Sequence, residues 1–252
     1  MKKSILLITA ICAVIFQTHA QDQLYASLWY GQIKTQDLDR HLALEKNVYA
    51  KYHQARIDRG EISGWDIWQI TNPDVNDMTT TLIYVHLMDS PVGGDYPVIE
   101  ALEGVSAEEW AAAQEEAMGH YLKNYQVIVS VKGGYGPQGD DHPADYCVLN
   151  YMEVDPYRVT EYEQMELEQF MPMFKAQGEK NGWALHKVIN HFGADRPVNY
   201  ITADFYNDLA TIYEGYNTSN PLGEDAQEML REMDKLRTLK NAHILKRIMS
   251  LR

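Results

Sequence analysis

The chain has 252 residues, with 22 Lys or Arg against 36 Asp or Glu, and its formal net charge at pH 7 is −14. A surface this acidic repels phosphate backbones and anionic lipid headgroups, so the composition disfavours nucleic-acid and membrane-surface partners. A chain of this length can bury a large apolar core.

The first 20 residues have the layout of a secretory signal peptide. Lys2 and Lys3 precede an apolar stretch over residues 5–16, and the small residue Ala20 offers a cleavage site. The stretch is short for a membrane span, so cleavage is favoured over a retained anchor. We therefore expect an exported protein, periplasmic or extracellular, with no membrane insertion after cleavage.

Cleavage would also separate the two cysteines. Cys12 leaves with the signal segment, and the bulky Ile11 before it disfavours a lipid-modified cysteine. Cys147 then stands alone in an apolar run typical of a buried strand, which favours an inert core thiol over a reactive one. Loss of Lys2 and Lys3 changes the net charge from −14 to −16.

The first half of the chain predicts the order strand, helix, strand, strand, helix, strand. Asp37 can cap the first helix and Gly60 can end it. The spacing of Ser106-Ala-Glu-Glu109 is that of a capping box, which opens the second helix. The predicted strands are 24–33, 65–70, 79–87 and 125–131, and the predicted helices are 37–59 and 106–122.

The second half predicts the same order of elements. Its predicted strands are 146–154, 183–189, 199–206 and 243–249, and its predicted helices are 156–180 and 224–239. A Gly-rich segment, 132–142, is typical of a linker between the halves. Two irregular stretches at matched positions, 90–104 and 215–223, are expected to form rims or lids.

The two halves share sequence as well as element order. Tyr30-Gly-Gln-Ile-Lys34 corresponds to Tyr151-Met-Glu-Val-Asp155, Gly64-Trp65 to Gly182-Trp183, and Leu122-Lys-Asn124 to Leu239-Lys-Asn241. The offset between partners drifts only from 121 through 118 to 117. One unit of roughly 110 residues has therefore been used twice.

Strand-helix-strand-strand-helix-strand is the order of the ferredoxin-like unit. On this order and the repeated motifs, the chain resembles the dimeric α+β barrel superfamily, which includes antibiotic-biosynthesis monooxygenases, ethyl tert-butyl ether degradation-type proteins and NIPSNAP-like proteins. The resemblance implies an α+β fold of two tandem ferredoxin-like units packed sheet to sheet in one chain, for which a monomer is sufficient. The predicted organisation is a signal peptide over 1–20, a first unit over 21–133, a linker over 134–145 and a second unit over 146–252.

Two glutamates at matched positions are the strongest candidates for chemistry. Glu45 lies in the middle of the apolar stripe of the first helix, and Glu166 lies at the centre of the corresponding stripe in the second half. Burial of a lone carboxylate is costly, so partners must converge on it, and desolvation raises the pKa of a carboxyl group so placed. One hypothesis makes both glutamates catalytic acid/base groups or ligand anchors. The other, which is the ordinary outcome for an inward polar residue, gives them structural hydrogen bonds to Tyr or Trp on the sheet.

His186 is the third catalytic candidate, as the expected companion of Glu166. The repeat alignment places Trp68 at the position of His186, and His86 at the position of Phe205. These differences predict that the two halves are not chemically equivalent. A single histidine on a strand is nevertheless more often a packed core residue than a catalyst.

Aromatic content bears on the kind of ligand. The sequence has 17 tyrosines and 5 tryptophans, which suit a cavity for flat or sugar-like organic molecules, although a double-sheet core uses the same residues. The candidates for ligand binding are His41, which lies one helical turn before Glu45, and Trp68, His86, Tyr30 and Tyr151.

Metal and haem sites are weakly indicated, and we expect no cofactor. Asp140-Asp141-His142 could ligate a cation, but its Gly-rich surroundings favour a solvated charge cluster. His120 is similar in position to the iron ligand of some haem-handling α+β barrels. The alignment places Arg237 at the corresponding position of the second half, and arginine cannot ligate iron.

Two classes of function remain open. The chain is either an exported protein that binds a small organic molecule, with or without acid/base catalysis by an inward glutamate, or a non-catalytic accessory or interaction protein with the duplicated barrel as scaffold. A cavity that reaches one of the glutamates favours the first class, and tightly filled helix–sheet interfaces favour the second. The superfamily does not decide between them, because its activities range over oxygenation, isomerisation, cyclisation, haem chemistry and no known catalysis.

Overall fold

The computed structural model describes residues 23–71, 78–92, 102–136, 144–191, 197–217 and 224–252. The predicted signal segment and the candidate cation ligands Asp140-Asp141-His142 lie outside these residues. Parts of the two predicted rim segments, 93–101 and 218–223, also lie outside them.

The first half folds in the predicted order. Its elements are β1 (Tyr25–Lys34), α1, β2 (Gly64–Ile70), β3 (Thr79–Met88), α2 (Ala107–His120) and β4 (Tyr121–Tyr135). Helix α1 consists of two α-helical segments, Leu38–Leu44 and Ala50–Asp58, joined by a π-helical turn, Glu45–Tyr49.

The local signals that begin and end these helices are confirmed. The Ser106 hydroxyl accepts a hydrogen bond from the backbone N–H of Glu109, and the Glu109 carboxylate accepts one from the backbone N–H of Ser106. Gly60 follows α1 at a φ of +70°, which L side chains rarely adopt, so it ends the helix.

The second half repeats this order with one additional helix. Its elements are β5 (Tyr146–Val154), α3, β6 (Gly182–Val188), β7 (Tyr200–Tyr206), α4 (Leu209–Asn217), α5 (Glu224–Asp234) and β8 (Arg237–Leu251). Helix α3 has the construction of α1, with α-helical segments Val159–Met165 and Met171–Gln177 on either side of a π-helical turn, Glu166–Phe170.

Strands β4 and β8 are longer than the sequence predicts. Residues 132–135 of the expected linker belong to β4, and β8 begins at Arg237, where a helix was expected. The first residues of both strands are largely exposed, with a neighbouring strand on one side only. Their polar sequence therefore lacks the apolar alternation by which a strand is recognised. Helix α4 lies in a stretch for which no element was predicted.

In the described part of the chain, the strands form one closed antiparallel barrel in the order β1-β3-β2-β8-β5-β7-β6-β4. Each half contributes a ferredoxin-like sheet, β4-β1-β3-β2 or β8-β5-β7-β6. Strand β2 pairs with β8, and β4 pairs with β6, so the edge strands of one half are covered by the other. The predicted intramolecular dimeric α+β barrel is confirmed, and one polypeptide closes it.

Alternate residues of each strand face the barrel interior and the helices outside it. The interior is an apolar core that includes Leu28, Ile83, Leu149 and Ile201. Cys147 belongs to this core, and burial raises the pKa of its thiol well above the usual range, as an inert core thiol requires. The outer faces pack against α1 in the first half and α3 in the second.

The strand register corrects one pairing between the halves. His86 lies opposite Trp65 of β2, whereas the residue opposite Trp183 of β6 is Asp204. The counterpart of His86 is therefore Asp204 and not Phe205. The predicted alignment was one residue out of step, and in a strand such a slip exchanges the two faces of the sheet.

Candidate functional site

A cavity of about 460 Å³ lies between α1, α2 and the sheet of the first half. Glu45 lines it, as do seven aromatic residues: Trp29, Tyr49, Tyr52, Trp65, Tyr84, Trp110 and Tyr121. A cavity of this size, walled by flat rings with a few polar groups, has the usual character of a small-molecule site.

Glu45 is 4% exposed and belongs to a buried network of polar side chains. Its Oε1 atom lies 3.2 Å from Nε2 of His41, which is fully buried one helical turn earlier. The same Nε2 lies 2.6 Å from the hydroxyl of Tyr84 and 3.1 Å from the hydroxyl of Tyr121. On the other side of the ring, Nδ1 of His41 lies 3.2 Å from Nδ1 of His120.

Two members of this network, Tyr84 and Tyr121, are hydroxyl groups that keep their protons. Burial is the main cause that raises the pKa of Tyr84 and of Tyr121, with the nearby Glu45 next, so both hydroxyls stay protonated and can donate. His41 can hold its proton on Nε2, facing Glu45, or on Nδ1, facing His120.

The cavity wall away from His41 carries two neutral histidines. Burial lowers the pKa of His53 to about 2 and that of His86 to about 4. The His53 ring stacks on Trp65, with 4.3 Å between ring centroids and 20° between planes. Neither Nδ1 of His53 nor Nε1 of Trp65 has a hydrogen-bond partner among the described residues, although both atoms are buried. Unsatisfied buried polar atoms in a cavity wall indicate a ligand or water that completes them.

The second half has a counterpart cavity of about 650 Å³, lined by Glu166. Glu166 is 3% exposed, and burial is the main cause that raises its pKa. Its nearest cationic neighbour is Arg237, whose Nε lies 3.9 Å from Oε1 of Glu166. Both glutamates are thus buried as predicted, but imidazole and phenol groups surround the first, and a guanidinium faces the second.

Four of the predicted site residues lie on the inner face of the barrel, away from both glutamates. The hydroxyls of Tyr30 and Tyr151 lie 3.0 Å apart, so these repeat partners contact each other across the barrel. Trp68 belongs to the same inner core. His186, whose Nδ1 lies 3.2 Å from the backbone oxygen of Ile201, has its pKa lowered by burial to about 4. The expectation that His186 shares a cavity with Glu166 is wrong, because β6 directs His186 into the barrel, whereas Glu166 lies on α3 outside it.

The remaining predicted residues lie in the first half. His86 lines the Glu45 cavity directly, and His41 backs Glu45 from behind. His120, considered as an iron ligand, instead contacts His41 and is 7% exposed. The strand register also corrects the counterpart of Arg237, which is Tyr121 and not His120. Arg237 lies opposite Val154, and Tyr121 lies opposite Ile33, the repeat partner of Val154.

Sequence reasoning missed His53, Tyr84 and Tyr121. His53 lies about two helical turns beyond Glu45, and Tyr84 lies two residues before His86, so periodicity could have placed both on the cavity side. Tyr121 stands at a helix–strand junction, where no period applies.

Each glutamate also begins a π-helical turn, a feature that no sequence signal revealed. The backbone oxygen of Glu45 accepts a bond from the N–H of Ala50, and that of Glu166 accepts one from the N–H of Met171. Such five-residue steps are rare and occur frequently at functional sites. Their presence at both copies of the glutamate shows that this backbone geometry is shared by the two halves.

Within the described ranges, no group of three or more His, Cys, Asp or Glu side chains could hold a metal ion. In the same part of the chain, no helix combines the length and the apolar character that a membrane crossing requires.

Comparison with known proteins finds similarity at the level of fold. No protein-family model and no curated protein sequence matches the chain. A candidate monooxygenase from Lactobacillus acidophilus NCFM superposes with a TM-score of 0.58 at 11% identity, covering 90% of this chain and 95% of its own. A candidate monooxygenase from Fusobacterium nucleatum gives a TM-score of 0.58 at 8% identity, covering 90% of this chain and 94% of its own.

An anthrone oxidase-like protein superposes with a TM-score of 0.54 at 12% identity, covering 92% of this chain and 94% of its own. At these identities the likeness establishes architecture and leaves the chemistry to the site. The chain therefore shares the α+β barrel fold of these proteins, with both ferredoxin-like halves in a single polypeptide.

Proposed function

We propose that this protein binds a flat, uncharged aromatic molecule in the first-half cavity and removes a proton from it with Glu45. The observation that carries the proposal is the position of Glu45. Its carboxyl group reaches a cavity walled by aromatic rings, lies 3.2 Å from the imidazole of His41 and has two protonated phenols, Tyr84 and Tyr121, nearby. A carboxylate in this position can act as the general base for an O–H or activated C–H bond.

The neutral wall of the cavity supports an uncharged substrate. His53 and His86 carry no charge near pH 7, because their pKa values are about 2 and 4. The indole N–H of Trp65 can only donate, so it matches a carbonyl or hydroxyl oxygen on the ligand. Hydrogen bonds to that oxygen would stabilise the negative charge that develops as Glu45 takes the proton.

The structural neighbours support one reaction class. Two are candidate monooxygenases and one is anthrone oxidase-like. For an anthrone-type substrate, deprotonation of the ring methylene gives a carbanion stabilised by the carbonyl group. Reaction of that carbanion with O2 converts the CH2 group to C=O and releases one water, with both oxygen atoms of O2 accounted for. In this scheme Glu45 holds the proton that ends in the water, and the aromatic walls keep the ring flat.

We also propose that the protein is exported and acts outside the cytoplasm. Lys2, Lys3 and the apolar stretch 5–16 have the layout of a signal peptide. Mass spectrometry of the protein from its natural host tests this, because cleavage after Ala20 gives a chain that begins at Gln21. An intact N-terminus in the cytoplasmic fraction would contradict export.

The duplication supplies a matched control for the catalytic test. With 1,8-dihydroxyanthrone as probe, we expect binding by native mass spectrometry and O2 uptake on an oxygen electrode. Glu45→Gln should abolish O2 uptake while the melting temperature stays nearly unchanged, whereas Glu166→Gln should leave uptake intact. Equal activity in Glu45→Gln and the unaltered protein would refute the role of Glu45. Absence of bound ligand and of uptake would favour the non-catalytic scaffold.

A further inference from the structure

We propose that the second half holds a separate binding site for a monocarboxylic acid with an apolar body, whose carboxylate binds Arg237. The site is the cavity of about 650 Å³ between α3, α4, α5 and the sheet. It is distinct from the aromatic cavity, since the two lie on opposite halves of the barrel and share no lining residue.

The two cavities differ at equivalent positions of the repeat. Tyr84, His86 and Tyr121 of the first-half floor are replaced by Thr202, Asp204 and Arg237 in the second half. The outer wall becomes less polar in the second half, because the repeat offset places Phe174 at the position of His53. One cavity thus has neutral polar groups among aromatic rings, and the other has a charged floor below an apolar wall.

The apolar wall accounts for the body of the ligand. Phe170, Phe174 and Trp183 line the cavity together with Met173 and Met229. Thioether and aromatic side chains adapt to an irregular apolar shape and bury it without hydrogen bonds.

The guanidinium of Arg237 accounts for the carboxylate. Its Nε is buried and has no hydrogen-bond partner in the described part of the chain. Oε1 of Glu166 lies 3.9 Å from Nε, beyond hydrogen-bond distance, and Nη1 donates to the sulfur of Met152, which is a weak acceptor. Much of the donor capacity of this cation is therefore unused. A planar guanidinium matches a carboxylate with two parallel hydrogen bonds.

The other charges around the cavity restrict the ligand to one negative charge. Lys180 and Asp204 neutralise each other at 3.0 Å, and Asn150 donates to Asp204 at 3.1 Å. Glu179 and Glu214 also line the cavity, and both are exposed. Their carboxylates repel phosphates and other multiply charged anions. A ligand with a single carboxylate can place that charge against the guanidinium of Arg237 and brings no second charge near the glutamates.

Glu166 makes binding dependent on pH. Four groups surround its carboxyl: Tyr162 on its own helix, Arg237 on β8, Asp204 on β7 and Lys180 before β6. When Glu166 is ionised it is the internal counter-ion of Arg237, so it competes with the ligand carboxylate. When Glu166 is protonated, the competition ends. Binding should therefore strengthen as the pH falls through the raised pKa of Glu166, until the ligand itself is protonated.

The test compares two probes of the same shape, 4-phenylbutanoate and 4-phenylbutanamide, by isothermal titration calorimetry on the whole exported chain. We expect the carboxylate to bind at least about tenfold more tightly than the amide, since it gains charge-assisted hydrogen bonds. Arg237→Gln should abolish this preference. Glu166→Gln should tighten binding of the carboxylate at pH 7 and remove its pH dependence, an increase that a purely structural role for Glu166 does not predict.

The control separates this site from the proposed catalytic cavity. Glu45→Gln should leave the affinity for 4-phenylbutanoate unchanged, whatever its effect on O2 uptake. If Arg237→Gln does not fold, Arg237→Lys keeps the charge, loses the paired geometry and should weaken carboxylate binding severalfold. Equal affinity for both probes, no binding of either, or loss of binding in Glu45→Gln would overturn the proposal.

Discussion

Truncation of Glu45 should separate its structural contribution from its chemical one. In Glu45→Ala, Nε2 of His41 loses the carboxyl oxygen at 3.2 Å but keeps the hydroxyls of Tyr84 at 2.6 Å and Tyr121 at 3.1 Å. One or two hydrogen bonds to buried groups disappear, and water can enter the open cavity, so the free energy of unfolding should fall by about 1–3 kcal/mol. For a protein of this size, that corresponds to a melting temperature about 2–12 °C lower.

The amide variant is the matched comparison. The side chain of Glu45→Gln has nearly the same shape and can keep a hydrogen bond to His41, so its unfolding free energy should change by less than about 1 kcal/mol. Circular dichroism melts of both variants at pH 7 measure the difference. If Glu45→Ala melts with the unaltered protein, the carboxyl is not part of the network. If Glu45→Gln is as unstable as Glu45→Ala, charge and not hydrogen bonding holds the network together.

Three further outcomes follow from the same contacts. Burial raises the pKa of Glu166, so the folded state favours the protonated carboxyl group. The contribution of Glu166 to the free energy of unfolding is therefore complete below the ordinary pKa of 4.5 and is lost as the pH rises through the folded-state pKa. Glu166→Gln should therefore melt higher than the unaltered protein at pH 7, with no difference below pH 4.5 in a pH series of melts. Deletion of the exposed Lys46 removes the additional residue of the π-helical turn. It should preserve the melting temperature within about 4 °C, since it restores a regular helix, but abolish 1,8-dihydroxyanthrone binding in native mass spectra. Arg252→Ala removes two 2.9 Å hydrogen bonds to the buried Asp66, so the free energy of unfolding in urea should fall by about 1–3 kcal/mol. The loss stays below that of a fully buried ion pair, because Arg252 is half-exposed and solvent screens its charge. The exposed pair of Lys240 is the control, and a Lys240→Ala loss as large as that of Arg252→Ala would contradict this reasoning.

The sequence alone predicted the order of the elements that the two halves share, because helix caps and strand alternation are local patterns and the repeat displays them twice. It did not predict α4 or the first residues of β8. The capping box at Ser106 and the glycine after α1 are local hydrogen-bond and φ requirements, and both are found where predicted. The shared motifs of the two halves fixed the ferredoxin-like order twice. The two inward glutamates followed from helical periodicity and are buried.

Tertiary structure decided what surrounds each glutamate. Strand side chains alternate between faces, so a one-residue error in aligning the third strand exchanged Phe205 for Asp204. The same alternation placed His186 inside the barrel and out of reach of Glu166. Periodicity within one element cannot reveal which face of a strand meets a helix from elsewhere in the chain.

The chemical difference between the halves also depends on long-range contacts. Tyr121 and Arg237 are equivalent because Tyr121 lies opposite Ile33 and Arg237 lies opposite Val154, and these partners are 88 and 83 residues apart along the chain. The sequence determined that one unit is used twice and that each copy buries a carboxyl group. Only the closed barrel determined that one carboxyl lies among phenols and imidazoles and the other faces a guanidinium, because those partners are brought together by strand pairing and not by neighbouring sequence.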